Sequence, residues 1–328
     1  MATDMTTTAK PKLLQNLKLP PAFEARLAVD YDMRRLIDEA DPQAFLAAHG
    51  ADFVGLVTSA AVGANAALIN ALPGLRVISS FGVGLDKLDL AAAAQRGIAV
   101  GYTPDVLNDC VADLAFGLML DVARGVSAGD RYVRRGAWPG GTTPATPAFP
   151  LGRKVSGARL GIVGLGRIGR TIAQRASGFD MPVKYHSRRP VEGVTWTHEP
   201  SLLALADWAD YLVVIAAGGA GTRHLVNAEV LDALGPRGFL INVARGSVID
   251  EAALVRALVD KRIAGAGLDV FENEPQVPAE LMALDNVVLL PHIASATQET
   301  RQAMADRVVD NLDAWFRSDQ LISAALLP

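Results

Sequence analysis

Three polar segments each follow an apolar run, and together they hold the groups that hydride transfer to a ketone carbon requires. They are Val243-Ala244-Arg245-Gly246-Ser247, Leu268-Asp269-Val270-Phe271-Glu272-Asn273-Glu274-Pro275 and Leu290-Pro291-His292-Ile293-Ala294-Ser295. Reduction of a 2-oxo acid needs a cation that grips the carboxylate and polarises the ketone. It needs a proton donor for the new hydroxyl, and a partner that keeps that donor charged. Arg245 suits the first role, because a guanidinium binds a carboxylate through two parallel hydrogen bonds. His292 suits the second, because imidazole exchanges protons near neutrality. Glu274 suits the third, because a neighbouring carboxylate favours imidazolium; Glu272 is the competing choice. Asp269 either orients a neighbouring group or the nicotinamide side, or simply ends its strand, and Ser295 either contacts substrate or His292, or caps the last helix. In open α/β sheets ligands bind beyond the carboxyl ends of strands, which is where all three segments fall.

A Gly-rich turn supplies a place for a dinucleotide. Gly164-Leu165-Gly166-Arg167-Ile168-Gly169 follows the apolar run 158–163 and precedes a stretch, 170–176, able to continue as a helix. In this pattern Gly164 permits the tight turn, Gly166 lets backbone approach a pyrophosphate, and Gly169 lets helix pack on strand. About twenty residues further on, an NAD site would place an acid on the ribose hydroxyls. Here the strand Val183-Lys184-Tyr185 runs into His186-Ser187-Arg188-Arg189, with no acid and two guanidinium groups. That favours the 2′-phosphate of NADP, so NADPH is expected to bind better than NADH. Ala244, Asp269 and Ala294 complete the expected cofactor contacts.

The elements that must carry these groups alternate. Strand-like runs at 52–58 and 75–80 flank a helical 66–72, and further strands lie at 211–215, 238–243, 264–270 and 286–290. Strand, helix, strand in this order predicts an α/β fold with parallel sheets. The first twenty residues read as a loose lead-in. Thr103-Pro104 fits the N-cap and first position of a long helix. The Gly-, Pro- and Thr-rich stretch 136–150, with Trp138 inside it, reads as a loop. A final helix at 297–316 carries Met304, Val308, Leu312, Trp315 and Phe316 on one face, suited to packing back on the first domain. In that domain Phe81-Gly82-Val83-Gly84 ends a strand, and the backbone N–H groups of Val83 and Gly84 are candidates to cradle a substrate carboxylate. Leu56 and Trp138 are candidates to line the side-chain pocket.

At 328 residues the chain exceeds what one core usually serves, so two domains are expected. A formal net charge of −4 does not suit a polyanionic partner such as nucleic acid. The single cysteine, Cys110, excludes an internal disulfide and argues against a metal site, and it reads as a buried structural thiol. No secretory leader or apolar span of membrane length is seen, which leaves a cytoplasmic location as the expectation.

Assembled, these segments resemble the D-isomer-specific 2-hydroxyacid dehydrogenase family, and most of all its NADPH-preferring glyoxylate/hydroxypyruvate reductase branch, which includes hydroxyphenylpyruvate reductases. The resemblance runs from about Asp52 to the end. It also rests on Phe81-Gly82-Val83-Gly84-Leu85-Asp86-Lys87-Leu88-Asp89, Thr103-Pro104-Asp105-Val106-Leu107 and Ala244-Arg245-Gly246. It implies two Rossmann-like doubly wound parallel-sheet domains: a flavodoxin-like substrate domain built from 1–103 and 292–328, and a dinucleotide-binding domain over 104–291. It implies Arg245, Glu274 and His292 as the catalytic set, substrates such as glyoxylate or hydroxypyruvate reduced to the D-2-hydroxy acid, and a homodimer in which Trp138 reaches the partner's site. Two departures stand out. Ala294 replaces the Gly that many relatives carry after the histidine, and Ala216-Ala217-Gly218-Gly219-Ala220-Gly221 lacks the usual Leu-Thr-Pro character. The competing readings are an NAD-dependent relative, of phosphoglycerate, formate or phosphite type, and a dinucleotide-sensing corepressor without turnover.

Overall fold

Leu160–Val163, Tyr211–Val214 and Phe239–Asn242 are buried along their whole length, as strands covered on both faces must be. The computed structural model describes residues 9–138 and 149–328 and divides the chain into two compact units. One comprises Met1–Val106 and Gln298–Pro328, the other Leu107–Thr297. The boundaries expected from sequence, 103/104 and 291/292, lie a few residues earlier; the observed division leaves His292 and Ser295 in the second unit.

The first unit carries β1 (Lys12–Gln15), β2 (Asp32–Arg35), β3 (Gly55–Ser59), β4 (Val77–Phe81) and β5 (Ala99–Gly101) in the order β2-β1-β3-β4-β5, all parallel. This is the flavodoxin-like order. The expectation of a loose lead-in fails at β1, which lies inside the sheet with Leu13 and Leu14 fully buried. Four residues between Pro11 and Pro20 show too little periodicity to be read as a strand. The helix Gln298–Ser318 covers one face of this sheet: Ala305, Val308, Val309 and Leu312 pack with Leu13, Val57 and Val77. Burial of each Val or Leu side chain contributes about 1.5–3 kcal/mol. The Ser79 hydroxyl donates to the Val308 carbonyl (3.2 Å), and the Tyr31 hydroxyl to Asp313 (2.5 Å).

Thr103 does not cap a helix. Its hydroxyl accepts from the Gly82 N–H and its own N–H donates to the Gly82 carbonyl, both at 3.0 Å. Asp105 has φ +70°, which no helix tolerates, and the long helix is Asn108–Arg124. A pairing across strands has taken the side chain that local sequence assigned to a cap.

The second unit carries β6 (Leu160–Val163), β7 (Val183–His186), β8 (Thr197–His198), β9 (Tyr211–Val214), β10 (Phe239–Asn242), β11 (Gly265–Leu268) and β12 (Val287–Leu289). Their order is β12-β11-β10-β9-β6-β7-β8, again parallel throughout. The chain winds outward from β6 one way and from β9 the other. The crevice beyond the carboxyl ends of β6 and β9 is therefore the topological switch point, and the Gly164 turn leaves β6 there.

Candidate active site

Each polar segment leaves the carboxyl end of a strand of the second unit, and backbone hydrogen bonds tie the second segment to the third and to Asn242 at the end of β10. Asp269 follows β11 and has no exposed surface. Its main-chain carbonyl accepts from the His292 N–H at 2.8 Å. Its carboxylate oxygens accept from the next two N–H groups, Ile293 at 2.7 Å and Ala294 at 2.8 Å. Burial pushes the Asp269 carboxyl up, against the pull of those two N–H groups. Three consecutive N–H groups are thus held by one residue, and His292, the first of the three, takes φ +55°. A non-glycine residue in that region costs about 1–2 kcal/mol, so the grip is what maintains it.

The His292 ring meets Glu274, with Nδ1 2.8 Å from Oε2; a carboxylate accepts, so Nδ1 donates. The other carboxylate oxygen accepts from the Phe271 N–H at 3.1 Å. Burial pushes the Glu274 carboxyl up, but the His292 bond and charge, the Phe271 N–H and the Arg245 charge outweigh it and hold it below the usual range. With Nδ1 committed, Nε2 is the ring atom left to exchange a proton. Glu272, the competing choice, is engaged elsewhere: it accepts from Arg223 (2.6 Å) and His224 Nε2 (2.9 Å), and these keep its carboxyl low.

Arg245 is positioned by Asn242, a buried polar residue at the end of the apolar β10. The Asn242 amide donates to the Arg245 carbonyl and its oxygen accepts from the Ala244 N–H, both at 3.1 Å. Arg245 Nη1 donates to the Ala244 carbonyl at 2.8 Å. Gly246 permits the approach of the next segment, since a Cβ there would stand 1.9 Å from the Phe271 carbonyl carbon. The sequence reading missed Asn242, although an amide closing Phe239-Leu240-Ile241 is a usable signal.

The Gly-rich turn fits a pyrophosphate. Gly164 has φ +102°, and a Cβ on it would meet the Ala216 backbone at 2.8 Å. A Cβ on Gly169 would strike the Gly164 carbonyl oxygen at 2.2 Å, whereas Gly166 has nothing within 4 Å. Gly166 is also the N-cap of the helix Arg167–Ala176 and brings no side chain to cap it, so the positive end of that helix faces the turn, as an anion site requires. Leu165 is buried beneath the turn. Ser187, Arg188 and Arg189 line a cavity of about 500 Å³ beyond β7.

Other expected residues fall elsewhere. Leu56 is fully buried near the start of β3, packed with Leu14, Phe53, Ile69 and Ile78; it serves the core rather than a strand-end pocket. Val83 and Gly84 lie just past β4 in the first unit, half-buried, after Gly82 at φ +134°. The last helix begins at Gln298, too far on for Ser295 to cap it. Ala244 and Ala294 are buried, and the Ala244 carbonyl is occupied by Arg245. Trp138 is 65% exposed, and most of the loop read at 136–150 lies outside the described residues. Among the described residues no cluster suits a metal, and no helix is long and apolar enough to cross a membrane.

Known proteins share this sequence pattern and this fold. The family model described as D-isomer specific 2-hydroxyacid dehydrogenase, NAD binding domain, matches residues 116–294. The chain belongs to the D-isomer-specific 2-hydroxyacid dehydrogenase family. It is an NAD(P)-binding oxidoreductase by membership. It is 50% identical over 279 residues to a hydroxyphenylpyruvate reductase of Plectranthus scutellarioides, covering 85% of this chain and 87% of that one. It is 46% identical to a glyoxylate/hydroxypyruvate reductase A of Arabidopsis thaliana, over 92% of this chain and 94% of the relative. The crystal structure of an NADPH-dependent glyoxylate/hydroxypyruvate reductase from Sinorhizobium meliloti, in complex with NADP and malonate, superposes with TM-score 0.90 at 45% identity, covering 97% of each chain.

Proposed function

We propose that this member of the family reduces small 2-oxo acids, glyoxylate and hydroxypyruvate foremost, to D-2-hydroxy acids with NADPH. The observation that carries the reading is the 2.8 Å pairing of His292 Nδ1 with Glu274, on a loop that Asp269 fixes. Reduced nicotinamide, when bound, supplies the hydride to the ketone carbon. Arg245 grips the substrate carboxylate and draws electron density toward the ketone oxygen. His292 Nε2 gives its proton to that oxygen as it becomes a hydroxyl. Glu274 stabilises the imidazolium beforehand and keeps Nδ1 protonated afterwards, as a pair that titrates together. Asp269 places the histidine, and Ser295 stands close enough in sequence to assist it.

The turn at 164–169 would hold the pyrophosphate, and Ser187, Arg188 and Arg189 the adenosine 2′-phosphate. Support for NADPH comes from the missing acid at Ser187, from the two guanidinium groups at the 500 Å³ cavity, and from the Sinorhizobium relative. Support for a larger substrate, hydroxyphenylpyruvate, comes from the Plectranthus relative. The exposure of Trp138 suits the homodimer in which that ring reaches the partner subunit.

Steady-state rates with glyoxylate, hydroxypyruvate, pyruvate and hydroxyphenylpyruvate, each with NADPH and with NADH, test the proposal. Highest kcat/KM for glyoxylate or hydroxypyruvate with NADPH is expected. Dinucleotide binding without consumption across the panel would refute reduction and favour a sensing role.

A further inference from the structure

A dinucleotide carries its pyrophosphate and its 2′-phosphate at a spacing fixed by one ribose. A protein that selects on the 2′-phosphate must therefore hold its cationic loop at a set distance from its Gly-rich turn. In this chain the cationic loop, 187–191, has no helix or strand of its own. Its arginines are exposed, on long side chains that lose rotamer freedom when they bind. What fixes the loop is a set of contacts from the edge of the sheet.

Two histidines make reciprocal bonds across the ends of β7 and β8. His198 Nε2 lies 3.0 Å from the Ser187 carbonyl, and His186 Nδ1 lies 3.1 Å from the Glu199 carbonyl. Carbonyls only accept, so each of these ring nitrogens carries its hydrogen. The Glu199 N–H donates to the Tyr185 carbonyl at 2.7 Å, which closes the strand pairing between them. The His198 ring packs on Tyr185, centroids 5.2 Å apart. The Tyr185 hydroxyl, in turn, accepts from the Val191 N–H at 2.9 Å. Within the loop the Ser187 hydroxyl donates to the Arg189 carbonyl at 2.6 Å. The loop is thus held at its first residue by His198 and at its last by Tyr185. One residue before the loop, the His186 carbonyl accepts from the Gly164 N–H at 2.9 Å, which ties the same strand end to the pyrophosphate turn.

We infer that His198 is a positioning residue for dinucleotide selection: through the Ser187 carbonyl it holds the Arg188–Arg189 loop in the register that a 2′-phosphate requires. The inference rests on the NADPH reading above. His198 touches no phosphate in this account. Its removal lets the loop swing, so the arginines must be ordered at the moment of binding. A ligand without the 2′-phosphate does not need that order and is spared.

The test is calorimetric titration with 2′,5′-ADP and with 5′-AMP, which read the adenosine end without turnover. The variants are His198→Phe, which keeps the ring on Tyr185 and loses the donor, and His198→Gln, whose amide nitrogen can replace Nε2. His198→Phe is expected to weaken 2′,5′-ADP about fivefold, the factor that one net hydrogen bond represents, and 5′-AMP less than about twofold. His198→Gln should regain most of the loss. Equal weakening of both ligands, or none, overturns the inference, as does a glutamine variant no better than phenylalanine. Arg188→Ala separates the two levels. If it leaves the ratio of the two affinities unchanged, the NADPH reading fails and takes the inference with it. If it lowers the ratio while His198→Phe does not, the inference alone fails.

Discussion

Replacing Asp269 by Asn removes one acceptor from a place where two are in use. The two N–H groups at 2.7 and 2.8 Å each face one carboxylate oxygen, and the residue is fully buried. An amide can satisfy one of them; its NH2 then confronts the other. The loss of one hydrogen bond to a charged group is worth about 1.5–3 kcal/mol, and a buried N–H left unsatisfied costs about 1–3 kcal/mol. The two figures overlap, so about 3 kcal/mol is the working sum. That exceeds the cost of about 1–2 kcal/mol for holding His292 at φ +55°, so the histidine should relax to ordinary backbone and part from Glu274. A displacement of about 1 Å in a reacting group costs on the order of 100-fold in rate. Asp269→Asn is therefore expected to lower kcat on the order of 100-fold, with dinucleotide Kd changed less than about threefold. Single-turnover reduction of glyoxylate, followed at 340 nm beside a fluorescence titration of NADPH, separates the two quantities. A normal rate would show that the clamp does not place the histidine. A normal rate with weakened Kd would return Asp269 to a direct cofactor contact.

His292→Ala should abolish most reduction while NADPH still binds with unchanged Kd; preserved turnover would remove it as proton donor. Arg245→Ala should raise substrate KM and lower kcat together, and an effect confined to cofactor affinity would contradict the assignment. Glu274 has a folded-state carboxyl held below the usual carboxylate range, so it contributes stability that is present above that range and lost as pH falls through the lower, folded value. Urea midpoints of wild type and Glu274→Gln should differ at pH 7 and converge in acid below about pH 4.5; a constant gap would deny the linkage. Ser187→Asp combined with Arg188→Ala should shift preference toward NADH, by repulsion of the 2′-phosphate and loss of its cation, and an unmoved NADPH/NADH ratio of kcat/KM would count against the phosphate site.

What could be read in the residues followed their range of interaction. The apolar strands, the Gly164 turn and the parallel α/β class are written in local pattern. Arg245, Glu274 and His292 stand out because each is a polar group just past an apolar run. What escaped depends on partners distant in sequence. β1 is too short to show a period, and becomes a strand only between β2 and β3. Thr103 matches a helix cap locally, yet Gly82, far upstream, claims its hydroxyl. Asp269 carries no mark that distinguishes a strand-ending acid from one gripping two N–H groups beyond the next strand. Leu56 is a pocket candidate by sequence; register is not local, and the pairing of β3 on Leu14 of β1 puts it in the core.

The helix Gln298–Ser318 has a consequence for how the molecule comes into being. It supplies one wall of the core whose other walls are Leu13, Val57 and Val77, and the whole contiguous second unit separates the two in the chain. A ribosome delivers these parts in order. The second unit can finish folding as it emerges, while the first waits with one face of its sheet bare until that helix has followed. During that interval Leu13, Val57 and Val77 form a sticky surface of the kind chaperones shield. The nascent chain is thus most exposed to aggregation at the stage when its nucleotide-binding part is already complete.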